Sequence, residues 1–374
     1  MSSPKVFIYT PVDQTGKSHE RLTAAGIDLK LGDIVWSKLD GNLDIAGQIG
    51  KGTAALMGVA IMRIPITREV MQVSKDLRIV AKYTVGTDDV DVEAATEMGI
   101  LVTHCPTEAN WSGVAEGAMA MMLALLKKVR ERDRFVKEGG WRDASLTGQF
   151  LGKRQDGYEG LTIGIIGLGR IGSRLADLLA PWRVRLIACD PYKGDEQFIH
   201  HNVDRVDMDT LLRESDVVSL HTNLTAETRG MIGAEQLGKM KSTAVLLNTS
   251  RGPVVNGDAL FEVLDQGRIA AAAIDVFEEE PVPAQSPLLG LGDKILVSPH
   301  VVTFNIGAGL TTAIPWATDH VLAALRGEVP EHVYNPEVID KWLDRFGGKK
   351  AILIGAGGSL LMNLLMGLVT LNVT

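Results

Sequence analysis

Apolar residues in the first hundred positions fall in short runs separated by segments of helical period. "KVFIYT", "AALMGVAIMR", "RIVA" and "ILVTH" read as strands, and "SHERLTAAG", closed by Gly26, and "DVEAATEMG" read as helices. Such alternation predicts a parallel sheet covered by helices. The stretch "SGVAEGAMAMMLALLKKVRERDRFVKEGGW" then predicts one long helix, buried in its apolar first half and solvated in its charged second half. The polar, glycine-rich "DASLTGQFLGKRQDGYEG" predicts a loop. From Leu161 the alternation resumes: "TIGIIG", "VRLIACD", "DVVSLH", "TAVLLNTS", "IAAAAIDVF" and "KILVSPH" give six strands, the number in a full dinucleotide fold. The helix "GLTTAIPWATDHVLAALRGE" and the extended "VPEHVYNPEV" follow. The pattern predicts an α/β chain of two Rossmann-like domains, parallel sheets covered by helices.

A length of 374 residues suits two such domains. The net charge of −8 argues against nucleic acid or acidic membranes as partners, because phosphate binding needs clustered Lys and Arg. Cys105 and Cys189 are too few for a disulfide framework or a Cys-rich metal site, so no metal is expected and a reducing compartment fits. "MSSPKVFIYTPVDQTGK" holds too short an apolar run for a signal peptide, and a cytoplasmic location is expected. Residues 351–374 carry no charge and follow Lys349 and Lys350. Their length allows a membrane span, but their glycines, asparagines and hydroxyls weaken the hydropathy and favour a segment buried against the protein or a partner subunit. The "IGAGGS" within them lacks the βα unit that a phosphate loop needs.

The glycine loop carries more specific chemistry. Gly167, Gly169 and Gly172 follow a strand and open a helix. The first permits the turn, the second lets backbone approach a pyrophosphate, and the third lets helix pack on strand. Free N–H groups and the positive dipole end then face the phosphates. Asp190 ends the next strand, placed to accept from ribose hydroxyls and to repel a 2′-phosphate, which favours NAD over NADP; Lys193 is the residue that weighs the other way.

Reducing a 2-oxo acid needs a cation for the carboxylate and an acid for the oxygen. Arg251 follows the strand "TAVLLN", at the carboxyl end where open sheets bind ligands, and its planar guanidinium suits two-pronged carboxylate binding. A pairing with a nearby acid is the plainer role for it. His300 ends another strand on the same side, and a carboxylate from "EEEP" against its ring would orient it and favour the protonated form. Spacing does not choose among Glu278, Glu279 and Glu280.

"GLTIGIIGLGRIG", "LHTNLTAETRGMI", "LLNTSRGPVVNGDAL", "AAAIDVFEEEP" and "VSPH", in that order, resemble the D-isomer-specific 2-hydroxyacid dehydrogenases. "VAKYTVGTDDVDVEAATEMGILV" and "VAEGAMAMMLAL" are similar to the family's substrate-domain segment and domain-crossing helix, so the resemblance runs from about residue 5 to 336. It implies a catalytic set of Arg251, Glu280 (the glutamate before Pro281) and His300. It also implies substrate contacts from the N–H groups of Val85 and Gly86. On the cofactor side it implies Arg170 and Ile171 at the pyrophosphate, Thr222 near the adenosine, Asp275 near the nicotinamide amide, and Thr249 and Ser250 beside the cofactor. Arg63 is a candidate for a distal acid or phosphate of the substrate, or for a surface ion pair. The resemblance further implies NAD as cofactor, a homodimer or tetramer built on the cofactor domain, with the homodimer expected here, and a discontinuous substrate domain: residues 1–110 and 308–340, around an NAD-binding domain of 111–307, with 341–374 as an apolar extension. Asn223 stands where the family often has Pro, and Glu280 argues against formate, whose dehydrogenases carry Gln there. The activity expected is hydride transfer between NAD and a small D-2-hydroxy acid, of phosphoglycerate or glycerate/hydroxypyruvate type. A phosphite-type enzyme and an NAD-sensing corepressor-like binding protein are the alternatives.

Overall fold

A computed structural model describes residues 3–35, 44–59, 64–307 and 309–348. The chain divides into two units, Met1–Thr107 with Gly309–Thr374, and Glu108–Ala308. In the first, strands β1 (Lys5–Ile8), β2 (Asp28–Leu31), β3 (Thr53–Gly58), β4 (Ile79–Lys82) and β5 (Leu101–Thr103) form a parallel sheet of order β2-β1-β3-β4-β5. Side chains alternate across it, as the period of two requires. Val6, Ile8, Met57 and Ala81 pack with Ala313, Ala317 and Val321 of helix Leu310–Leu325, while Phe7, Tyr9, Leu56 and Val80 pack with Val70, Met71 and Ala94 on the opposite face. Both faces are therefore covered, which explains the nearly continuous apolar runs. Trp342, on helix Ile339–Phe346, is fully buried in the first of these cores and donates its indole N–H to the Arg78 carbonyl at 2.9 Å. The expected extension from residue 341 thus begins inside a packed helix, and the described part, to 348, belongs to the first unit. The remainder of that stretch lies outside the described residues. Among the described residues no helix is long and apolar enough to cross a membrane.

The second unit contains β6 (Thr162–Ile166), β7 (Arg185–Cys189), β8 (Asp204–Arg205), β9 (Val217–Leu220), β10 (Val245–Asn248), β11 (Ala271–Ile274) and β12 (Ile295–Val297), all parallel, in the order β12-β11-β10-β9-β6-β7-β8. The sheet has seven strands where the pattern predicted six, because β8 is a two-residue polar edge with no apolar run to announce it. The expected long helix is two, Glu108–Leu126 and Val129–Lys137. Lys128 between them sits at φ 52°, a left-handed conformation that ends the first and redirects the second. The first helix buries Met121, Met122 and Leu125 against the sheet, and the second buries nothing within the unit.

The loop after β6 separates two kinds of glycine. A Cβ on Gly172 would lie 2.1 Å from the Gly167 carbonyl oxygen, whereas a Cβ on Gly169 would meet nothing within 4 Å. Gly172 is thus required by the packing of the unit itself, and Gly169 is not. Gly172→Ala should cost about 2 kcal/mol or more of folding stability through overpacking, while Gly169→Ala should stay within about 0.5 kcal/mol. Urea unfolding of the two variants checks this contrast.

Candidate active site

In the second unit the strand order reverses between β6 and β9, the crevice where doubly wound sheets hold ligands. Gly167 follows β6 with φ +91°, and a Cβ there would lie 2.6 Å from the carbonyl oxygen of His221, which follows β9. Gly169 caps the N-terminus of helix Arg170–Leu179, whose first residues, Arg170 and Ile171, are exposed and half-buried. Asp190, just past β7, accepts from the Leu168 N–H at 2.8 Å with one oxygen and from the Tyr192 N–H at 2.9 Å with the other. It ties the glycine loop to the neighbouring strand and keeps lone pairs for a further donor.

The side chains opposite are poorly provided for. The hydroxyls of Thr222 and Thr249 and Nδ1 of His221 are buried with no partner among the described residues. A buried polar atom without a partner is costly, so three of them beside an open glycine cradle fit a ligand that supplies both donors and acceptors. A dinucleotide meets that description: pyrophosphate at the helix N-terminus, ribose hydroxyls at Asp190. His221 Nε2 lies 2.8 Å from the Ser219 hydroxyl, and burial pushes the ring's pKa down to about 4, so it lines the crevice as a neutral group. Ser250 is used differently. Its hydroxyl and N–H both point to Asn248 Oδ1, at 2.8 and 3.1 Å, and its side chain holds the turn leading to Arg251.

That turn follows β10. Arg251 is extended (φ −142°), the Asn248 side chain donates to its carbonyl at 3.0 Å, and its Nη1 donates to the Ser250 carbonyl at 2.7 Å. A Cβ on the next residue, Gly252, would lie 1.9 Å from the Phe277 carbonyl carbon. Glycine there lets the Arg251 turn press directly on the Phe277–Glu280 turn.

The Phe277–Glu280 turn presents Glu280 to His300. Glu280 Oε1 accepts from the Phe277 N–H at 2.9 Å, and Oε2 accepts from His300 Nδ1 at 2.8 Å. With Nδ1 donating, Nε2 is the nitrogen left to exchange a proton with a substrate. Burial pushes the Glu280 pKa up, but the hydrogen bond and charge of His300, the Phe277 N–H and the charge of Arg251 outweigh it, and the net direction is down. The other two glutamates do not compete. Glu278 accepts from the Gly257 N–H at 3.1 Å, and Glu279 is exposed. His300 itself is held at φ 57° by its N–H donating to the Asp275 carbonyl at 2.7 Å. Asp275 is fully buried, which raises its pKa, and its carboxylate accepts from the N–H groups of Val301 and Val302 at 3.0 and 3.3 Å. It thereby supports the histidine loop, in addition to the position near the nicotinamide that the resemblance implies for it.

In the first unit, Val85 and Gly86 lie in the loop after β4. Thr84 O accepts from Cys105 N–H at 2.9 Å, Val85 O from His104 Nδ1 at 2.9 Å, and Gly86 O from the Thr84 hydroxyl at 2.7 Å. Among the described residues the N–H groups of Val85 and Gly86 donate to no acceptor. Carbonyls tied down on consecutive residues leave amides available for an anion. Arg63 lies outside the described residues. Sequence reasoning missed Lys82, Asp89 and Tyr9, a buried polar group at the base of this loop. A lysine inside the apolar run "RIVAKY" was the available signal.

Comparison with known proteins identifies the family. The description "D-isomer specific 2-hydroxyacid dehydrogenase, NAD binding domain" matches residues 119–302. A glyoxylate reductase of Korarchaeum cryptofilum is 41% identical over 284 residues, covering 75% of this chain and 83% of that one. A D-3-phosphoglycerate dehydrogenase of Archaeoglobus fulgidus is 39% identical over 256 residues, covering 68% of this chain but 47% of the relative. Among solved structures, a D-lactate dehydrogenase from Aquifex aeolicus complexed with NAD and lactic acid superposes with a TM-score of 0.74 at 27% identity, over 87% of this chain and 96% of that one. The chain belongs to the D-isomer-specific 2-hydroxyacid dehydrogenase family and is an NAD-dependent oxidoreductase.

Proposed function

We propose that this protein reduces a small, unphosphorylated 2-oxo acid of the glyoxylate or hydroxypyruvate class with NADH. The observation that carries the chemistry is the Glu280–His300 contact, which orients the ring through Nδ1 on a side chain that is 45% exposed. The choice of substrate rests on coverage. The chain spans 83% of the glyoxylate reductase but 47% of the phosphoglycerate dehydrogenase. Bound NADH supplies the hydride. Arg251 grips the substrate carboxylate and polarises the carbonyl, and the amides of Val85 and Gly86 bind the carboxylate. His300 delivers a proton from Nε2 to the C2 oxygen, while Glu280 orients the ring and balances its charge. Gly167, Gly169, Arg170, Ile171 and Gly172 form the pyrophosphate cradle. Asp190 takes the ribose, Thr222 the adenosine side, Thr249 the wall beside it and Asp275 the nicotinamide side, while Ser250 holds the turn that leads to Arg251.

We also propose a homodimer built on the second unit. Helix Val129–Lys137 buries none of its residues, and among its charged side chains Val129 and Val136, with Trp141 beyond its end, are 53%, 55% and 73% exposed, apolar groups that a second copy would cover. The activity is tested by NADH oxidation against glyoxylate, hydroxypyruvate and 3-phosphohydroxypyruvate. The proposal requires higher kcat/KM for the unphosphorylated acids, and a preference for the phosphorylated one contradicts it.

Arg251→Lys keeps a charge but loses the paired geometry, so kcat/KM for the 2-oxo acid should fall about 10- to 100-fold with NADH affinity nearly intact. Steady-state kinetics beside a fluorescence titration of NADH separate the two effects.

Asp190→Ala should weaken NADH binding about tenfold and raise relative use of NADPH, because the ribose acceptor and the repulsion of a 2′-phosphate vanish together. Wild-type protein that already prefers NADPH would contradict the role given to Asp190.

Reduction consumes a proton, and His300 is the group placed to deliver it. His300→Ala removes the acid altogether and should cost about 10²- to 10⁴-fold in kcat. Glu280→Gln nearly keeps the shape but loses the charge that balances the ring, and should lower kcat by a smaller factor, about tenfold. Steady-state kinetics at saturating NADH check both; a Glu280→Gln variant with wild-type kcat would mean the carboxylate does not govern the ring.

A further inference from the structure

The first unit hides an ion pair that the reaction does not use. Lys82, the last residue of β4, is fully buried, and its ammonium donates to Asp89, which is 6% exposed. Lys82 Nζ also lies 3.3 Å from the hydroxyl of Tyr9, itself fully buried. Burial, with Asp89 and Tyr83 nearby, drives the Tyr9 pKa well above its usual range, so it is a neutral acceptor. The trio lies at the carboxyl ends of β1 and β4, and Gly58 at the end of β3 completes the fit. A Cβ on Gly58 would lie 2.7 Å from the Tyr9 ring.

Stability is a poor reason for this arrangement. Desolvating two charges costs several kcal/mol per ion, and well-packed apolar residues in place of such a pair are often neutral or stabilising. What the pair does is geometric. Lys82 and Asp89 bracket residues 83–88, and their contact closes that loop across its neck. The far end is also fixed, with the Ile66 N–H donating to the Asp89 carbonyl at 2.7 Å and Val90 N–H to Thr87 O at 2.8 Å. Inside this neck sit Val85 and Gly86, whose carbonyls are taken up and whose amides are free of protein acceptors among the described residues.

We propose that the buried Lys82–Asp89 pair, seated on Tyr9, is a positioning clamp that holds the Val85 and Gly86 amides in the geometry that binds the substrate carboxylate. The inference rests on the reading of those amides as the carboxylate site. Removing the clamp should weaken substrate capture and leave both NADH binding and the chemistry of the bound complex largely as they were.

The test uses the full chain with both charges replaced, Lys82→Met with Asp89→Leu, so that no unpaired charge remains buried. A second double variant, Lys82→Gln with Asp89→Asn, keeps a hydrogen-bonding pair and covers the case in which the apolar pair misfolds. Melting temperature, NADH affinity, steady-state kinetics with glyoxylate, and the dissociation constant of oxamate on the NADH-loaded protein are measured for each. The clamp requires KM for glyoxylate and Kd for oxamate to rise about tenfold or more in a folded double variant, with kcat and NADH affinity changed less than about threefold. A folded double variant with wild-type KM and oxamate affinity overturns it, as does a variant in which kcat falls and KM does not. Arg251→Lys is run in parallel. If it too leaves KM and oxamate affinity unchanged, the carboxylate site itself is wrong; if it responds and the double variants do not, the clamp alone fails.

Discussion

One carboxylate with its two oxygens committed in different directions organises the chemistry of the second unit. Glu280 Oε1 takes the N–H of Phe277, three residues earlier, and Oε2 takes the ring of His300. The first bond fixes the rotamer, so the second can fix the imidazole. Around this contact the chain makes otherwise awkward choices. His300 sits in the left-handed region, Asp275 is buried beneath it, and Gly252 has no room for a side chain against Phe277. These features have one effect in common: they bring the turns after β10, β11 and β12 close enough that Arg251 is felt electrostatically at Glu280.

The two sheets put the same topological feature to different uses. Each reverses strand order, at β6 and β9 in the second unit and at β1 and β3 in the first, and the carboxyl ends there leave a crevice. In the second unit glycines keep it open, and the Thr222 and Thr249 hydroxyls, without partners among the described residues, line it. In the first it is closed from within. The Thr10 hydroxyl donates to the Val59 carbonyl and accepts from the Val59 N–H, both at 2.7 Å, and Tyr9 fills the space beside Gly58. The first crevice is thereby converted from a ligand site into a foundation for the loop that follows β4.

Much of this was legible from the chain. Strands buried on both faces announce themselves as apolar runs, and the glycine loop with Asp190 carries the spacing of the dinucleotide fingerprint. Short polar edge strands such as Asp28–Leu31 and Asp204–Arg205 give no such signal, because one side of each has no neighbour to bury it. The break at Lys128 was equally silent, since nothing in a run of good helix formers marks a left-handed lysine. Spacing could not separate Glu280 from Glu278 and Glu279, because the choice depends on which side chain the turn aims at His300 and which caps the helix at Gly257. The Lys82–Asp89 pair escaped notice for a related reason. A lysine at a strand end is ordinarily solvated, and only the fold brings residue 89 back over it.

If Arg251, Glu280 and His300 carry out a stereospecific reduction, the handedness of the product is its most direct record. The measurement is the chirality of glycerate formed from hydroxypyruvate and NADH by the purified chain. The expected product is D-glycerate with equimolar NADH oxidised; L-glycerate, a racemic product or no turnover would contradict this.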